Sequence, residues 1–97
     1  MNIDEEELNI DKEKLKQEIL ELFKKHNYTS KLGECPITTL KFLLKIDDAY
    51  LDTFLIYGAL CELQEEDKMI KSFELSDGSL SMKINSSRWH LKQQNLY

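Results

Sequence analysis

The chain has 97 residues, 41% of them hydrophobic and 32% charged, and a net charge of −5. That size and mixture fit one small domain with a single core and exclude a disordered tract. No apolar run approaches the roughly 20 residues that span a bilayer, and the start of the chain is acidic where a secretory leader is basic and then apolar. These features lead us to expect a cytoplasmic or nuclear protein with no membrane partner, in which Cys35 and Cys61 stay reduced.

In chain order, residues 1–10 read as an acidic lead-in that has no need of order, and residues 11–97 as the domain. Asp11 is placed to cap a first helix, whose Leu15, Ile19, Leu22 and Phe23 fall on one stripe. Lys24 and Lys25 suit the negative end of its dipole. Asn27 and Gly33 bracket a loop. Pro36 opens a second helix at its first position, or a short strand holds Ile37 and Thr38 caps the helix after it. Leu40, Leu43 and Leu44 form the inner face of this helix, and Ile46, Asp47 and Asp48 make a tight turn that caps the third.

The third helix covers about residues 49 to 66. No charge occurs from Phe54 to Cys61, and Leu51, Phe54, Leu55, Ile56, Tyr57, Ala59 and Leu60 point nearly all round it. A helix apolar on every side is enclosed by something, and a second copy of the chain is one candidate. A strand through Thr53 to Tyr57 is the alternative, but the helix formers from Ala59 to Glu66 favour helix. Residues 69–75 and 80–84 alternate as strands do, and Asp77-Gly78 between them is a strong hairpin signal. Phe73 and Leu75 share one side of the first strand; Leu80, Met82 and Ile84 align on the second. Ser86 or Ser87 then caps a short terminal helix carrying Trp89 and Leu96.

Residues 11–84 resemble the winged helix-turn-helix superfamily. The resemblance rests on residues 40–46 (LKFLLKI) as second helix, 59–63 (ALCEL) near the end of the third, and Met69-Ile70 entering a wing. Its members commonly carry a glycine between the third helix and the first wing strand, where this chain has Asp67-Lys68. The resemblance implies an α+β, mainly helical fold: three helices, a two-stranded hairpin wing and a short C-terminal segment. The superfamily holds DNA-binding regulators and modules that bind only proteins, so fold does not choose between them.

Charge chooses better. Residues 47–67 carry seven acids and no base, whereas residues 68–97 carry five bases and two acids. A third helix of that kind is repelled by the phosphates that line a major groove. It suits a protein partner, or a homodimer, whose contact is the stripe of Tyr50, Phe54 and Tyr57 adjoining Cys61, with Trp89 as a further anchor. The same stripe would serve equally well as packing against the first helix or the N-terminal segment. Under the competing DNA-binding regulator reading, a basic edge of Lys41, Lys45, Lys71, Lys83, Arg88 and Lys92 on the second helix, wing and tail makes the contact. Solvated lysines that guard a strand edge are the plainer account of those residues.

Nothing in the chain suggests catalysis. His26 and His90 stand apart from each other and from the cysteines, no glycine-rich loop cradles phosphate, and Asp47-Asp48 reads as capping rather than as a catalytic pair. We therefore expect a non-enzymatic module with no cofactor, metal or small-molecule substrate.

Overall fold

The computed structural model describes residues 3–44 and 49–92, with side chains placed for 12–44 and 53–92. The turn expected at Ile46, Asp47 and Asp48 lies outside them, as does Leu96. The elements are α1 (Ile3–Lys25), β1 (Cys35–Pro36), α2 (Ile37–Leu43), α3 (Ala49–Glu65), β2 (Met69–Phe73), α4 (Leu80–Ser86) and β3 (Arg88–Leu91), with a 3-10 turn at Lys31–Gly33. The fold is α+β, with helices predominating over one three-stranded antiparallel sheet.

α1 begins at Ile3, so its backbone includes most of the acidic lead-in rather than starting at Asp11. Its stripe behaves as the spacing predicts: Ile19 and Phe23 are fully buried, and Leu15 and Leu22 pack against them. α1 and α3 close alike. At the end of α1, Asn27 takes φ 59° while Tyr28 N donates to the Phe23 carbonyl at 2.9 Å and Asn27 N to Lys24 O at 3.3 Å. At the end of α3, Asp67 takes φ 66°, with Lys68 N on Leu63 O at 2.9 Å and Asp67 N on Gln64 O at 3.0 Å. These paired bonds are the Schellman closure, which glycine usually occupies and which Asn and Asp tolerate best among other residues. Asp67 thus stands in for the missing glycine.

Pro36 ends β1 and acts as N-cap of α2, so strand and helix meet at this residue with Ile37 as the first helical position. Ile37 and Leu40 are buried, while Leu43 and Leu44 are half-buried. α3 is a helix throughout, which removes the strand alternative for Thr53–Tyr57. It packs against α1, α2, β2 and α4, and its Ile56, Ala59, Leu60 and Leu63 join one core with Ile19, Phe23, Met69, Ile84 and Trp89. The chain encloses these residues itself, while Leu55 on the same helix stays exposed.

The hairpin expected over residues 69–84 is the main correction. Residues 80–84 form helix rather than strand, and Asp77-Gly78 leads into that helix instead of turning a hairpin. Ser79 decides it locally, since its hydroxyl accepts the Met82 N–H at 3.2 Å as an N-cap. Gly78, at φ 113°, supplies the reversal just before. The strand that pairs with β2 is Arg88–Leu91, so Trp89 lies in the sheet and not on a terminal helix.

β3 is central, in the order β1-β3-β2. Cys35 pairs with Trp89 and Pro36 with Arg88 on one side; Met69 pairs with Leu91, Ile70 with His90 and Lys71 with Trp89 on the other. The register then slips, so that Phe73 faces Arg88 and Ser72 is the extra residue of a bulge. The Ser72 hydroxyl sits 2.5 Å from Glu34 Oε2 and 3.1 Å from the Arg88 carbonyl oxygen. The end of β3 is tied to both helix closures, through Leu91 N to Tyr28 O at 2.8 Å and Lys92 N to Lys68 O at 3.1 Å.

Candidate protein-interaction surface

Along α3 the stripe Phe54, Tyr57, Gly58 and Cys61 is half-buried, and Leu55 is exposed. Tyr57 is occupied within the chain. Its ring meets Trp89 edge-on at a centroid separation of 5.8 Å, and its hydroxyl donates to Glu74 Oε1 at 2.6 Å. Lys71 Nζ completes the knot, 2.8 Å from the same carboxylate oxygen, 3.3 Å from the Tyr57 hydroxyl and 5.8 Å from the centre of the Trp89 ring. Burial, helped by the bond to Glu74, pushes the Tyr57 hydroxyl up to about 12. Burial acts to raise the Glu74 carboxyl, but its bonds to Lys71 and Tyr57 outweigh that and hold it below the ordinary range.

Of the residues expected at a protein interface, Phe54, Tyr57 and Cys61 therefore pack partly inward, and the side chain of Tyr50 is outside the described residues. Trp89 has no exposed surface, so it is core and not an anchor. Its indole N–H donates to Ser87 Oγ at 2.9 Å, and that hydroxyl donates to Ile84 O at 2.7 Å. Burial pushes the Cys35 thiol up to about 12 and also raises Cys61, which leaves both thiols in their unreactive form.

Three residues of the expected basic edge meet carboxylates within the chain. Lys71 is in the knot with Glu74, Arg88 Nη1 is 3.5 Å from Glu34, and Lys92 Nζ is 2.5 Å from Asp67. Lys83 is half-buried near Glu74, and Lys41 is half-buried on α2 with an interaction of its own. Lys45 is outside the described residues. The acidity of α3 is likewise answered from within. Lys16, almost wholly buried, reaches Glu66 at 2.5 Å, Glu62 at 3.3 Å and Glu13 at 3.4 Å, and Lys12 pairs with Glu62. The bonds from Lys12 and Lys16 lower the Glu62 carboxyl, and the bond from Lys16 lowers Glu66.

What sequence reasoning missed is the exposed apolar segment between β2 and β3. Phe73, Leu75, Leu80 and Met82 remain 46%, 39%, 65% and 54% exposed. A strand would have turned Leu80, Met82 and Ile84 to one side. A helix turns Leu80 and Met82 about 200° apart, and here only Ile84 reaches the core. Ser79, an N-cap followed by residues of no strong strand preference, was the available signal.

No family model, curated protein or solved structure matches the chain.

Among the described residues no three His, Cys, Asp or Glu side chains converge as a metal would need. No helix among them is long and apolar enough to cross a membrane. His90 is buried, its Nδ1 has no hydrogen-bond partner, and burial lowers its pKa.

Proposed function

We propose that the chain is a non-enzymatic winged-helix module that binds another protein through the tip of its wing. The winged-helix assignment is supported by the element order, helix, short strand, two helices, strand and strand, and by the placement of β3 between β1 and β2. α4 is then an insertion within the wing. One observation carries the protein-binding reading: Phe73, Leu75, Leu80 and Met82 stay open to solvent in a single segment between two strands of the sheet. Large apolar side chains left exposed within one short segment offer a partner apolar surface to cover. The pairing of Lys71, Arg88 and Lys92 with carboxylates supports a protein over a nucleic acid, because phosphate binding draws on lysines and arginines that are free to displace counterions.

The test is affinity capture from extract with the wild-type chain and with Leu80→Ser/Met82→Ser, each with and without nuclease. A specific partner should survive nuclease and be lost with the double variant. Removing a central apolar anchor costs at least ~2 kcal/mol, about thirtyfold in affinity. Retention of that partner by the folded double variant, or its disappearance on nuclease treatment, would overturn the reading.

A further inference from the structure

Residues 75–82 are exposed without interruption. Two hydrogen bonds fix this stretch at its ends: Leu75 N donates to Ser86 Oγ at 3.0 Å, and Met82 N to the Ser79 hydroxyl at 3.2 Å. Between them lies Asp77-Gly78, with Gly78 at φ 113°. Among the described residues, the N–H groups of Ser76, Asp77 and Gly78 find no hydrogen-bond acceptor.

An aspartate or asparagine followed by an unengaged peptide nitrogen is open to one reaction, attack of that nitrogen on the side-chain carbonyl carbon to close a five-membered ring. Four such side chains are described: Asn27, Asp67, Asp77 and Asn85. Three are withheld. The Tyr28 nitrogen after Asn27 donates to Phe23 O at 2.9 Å, and the Lys68 nitrogen after Asp67 donates to Leu63 O at 2.9 Å. Attack would cost each of them a hydrogen bond and the helix closure it makes. Asn85 lies within α4, where its amide nitrogen is 2.9 Å from Ser81 O. Asp77 alone of the four combines exposure, an unbonded nitrogen after it and a glycine, whose missing Cβ leaves the approach open.

We propose that Asp77 isomerises spontaneously in the folded chain, and that the change resets the segment carrying Leu80 and Met82. The Gly78 nitrogen bonds to Cγ of the protonated Asp77 carboxyl, the Cγ–OH bond breaks, and the hydroxyl leaves with the amide proton as water. A water molecule then reopens the succinimide. Entry at Cγ restores aspartate. Entry at the main-chain carbonyl carbon gives isoaspartate, in which the chain runs through Cβ and Cγ and the former main-chain carbonyl is the free carboxylate. Mass and charge are unchanged, and no oxidant takes part. The main chain is then one methylene longer between its two fixed points. Met82 registers this directly, since its Sδ and Cε lie 3.3 Å from where a Cβ on Gly78 would stand. The reaction proceeds whether or not the segment binds a partner.

Storage of the whole folded chain in warm neutral buffer made with heavy-oxygen water tests it. Peptide mapping by mass spectrometry should find isoaspartate and heavy oxygen accumulating at Asp77, and neither at Asn27, Asp67 or Asn85. Unfolding in urea should remove that selectivity and expose Asn27 and Asn85 to the same chemistry. Asp77→Asn should reach the ring faster, with loss of ammonia, because an amide does not repel the incoming nitrogen as an ionised carboxylate does. Asp77→Glu, whose ring would need six atoms, should yield no isomer. Circular dichroism should be the same before and after storage, while the Met82 methyl resonance gains a second signal in proportion to the isoaspartate. A folded chain without isoaspartate at Asp77, or one that reacts as fast at Asp67 or Asn85, would overturn the site. An unmoved Met82 signal in the isomerised chain would overturn the resetting.

Discussion

Trp89 and Leu80 are both large and apolar and lie close together in the chain, yet Trp89 has no exposed surface and Leu80 keeps 65% of its own. The two regions differ in how their polar groups are settled. Around Trp89, Ser87 joins three elements: its hydroxyl takes the indole N–H and gives its proton to Ile84 O, and its carbonyl receives Ile37 N at 3.0 Å. A tryptophan can be enclosed because its one polar atom is satisfied. At the wing tip, α4 is only seven residues long and turns Ile84 alone into the core. Burying the remaining apolar side chains would take a layer that the described residues do not supply.

The sharpest way to break this contrast is Trp89→Ala, expected to cost ~3–5 kcal/mol, with a matching fall in the denaturant midpoint. Ser87→Ala should cost ~1–3 kcal/mol, because it leaves a buried N–H unsatisfied while removing almost no volume. A loss well below that range would show that the serine hydroxyl does not hold the indole. Lys16→Ala comes next, at about 1–2 kcal/mol. Its stem is buried, but Glu62 and Glu66 are over a third exposed, so solvent screens much of the charge interaction.

Acidity should erode the enclosed region from a definite direction. His90 has its pKa lowered from the ordinary 6.5, so the unfolded chain takes up the proton first and stability falls as pH drops below that value. Glu62, Glu66 and Glu74 are lowered from 4.5 and add to the loss as pH falls further. At the alkaline end Cys35 and Cys61, raised from 9.0, and Tyr57, raised from 10.0, favour the unfolded state as pH climbs past those values. Thermal melts should accordingly show a plateau bounded near these limits, and His90→Gln should flatten its acid shoulder. The smallest effect belongs to the wing. Leu80→Ser and Met82→Ser should each change stability by no more than ~0.5 kcal/mol, as substitutions at open positions do.

The sequence was legible wherever one period governed a long stretch. α1 and α3 are long enough for their stripes to mark the core, and the end of α2 showed itself in Leu40, Leu43 and Leu44. The wing was misread because a short run with apolar residues at every second position also fits a two-turn helix when most of those residues are exposed. Strand alternation is evidence only if one face is buried. Trp89 was misplaced with it, since assigning residues 80–84 to the sheet left β3 with no strand to pair. Charge misled for a different reason. Counting acids along α3 hides that Lys12 and Lys16, far away in sequence, lie across from Glu62 and Glu66. Ion pairs between elements cannot be read before the elements are placed. Asp67 at the helix closure was visible as a departure from glycine, though its positive φ was not.

The bulge at Ser72 has a consequence for which way the following side chain points. Met69 and Lys71 stand opposite Leu91 and Trp89, and an unbroken strand would continue that alternation and place Phe73 on the same side. The additional residue puts Phe73 opposite Arg88 instead, with its ring outward. Which way the wing begins to present its apolar surface is thus encoded in a residue count and not in the identity of any side chain. Removing that one residue would return Phe73 to the side of the sheet that Lys71 and Trp89 share.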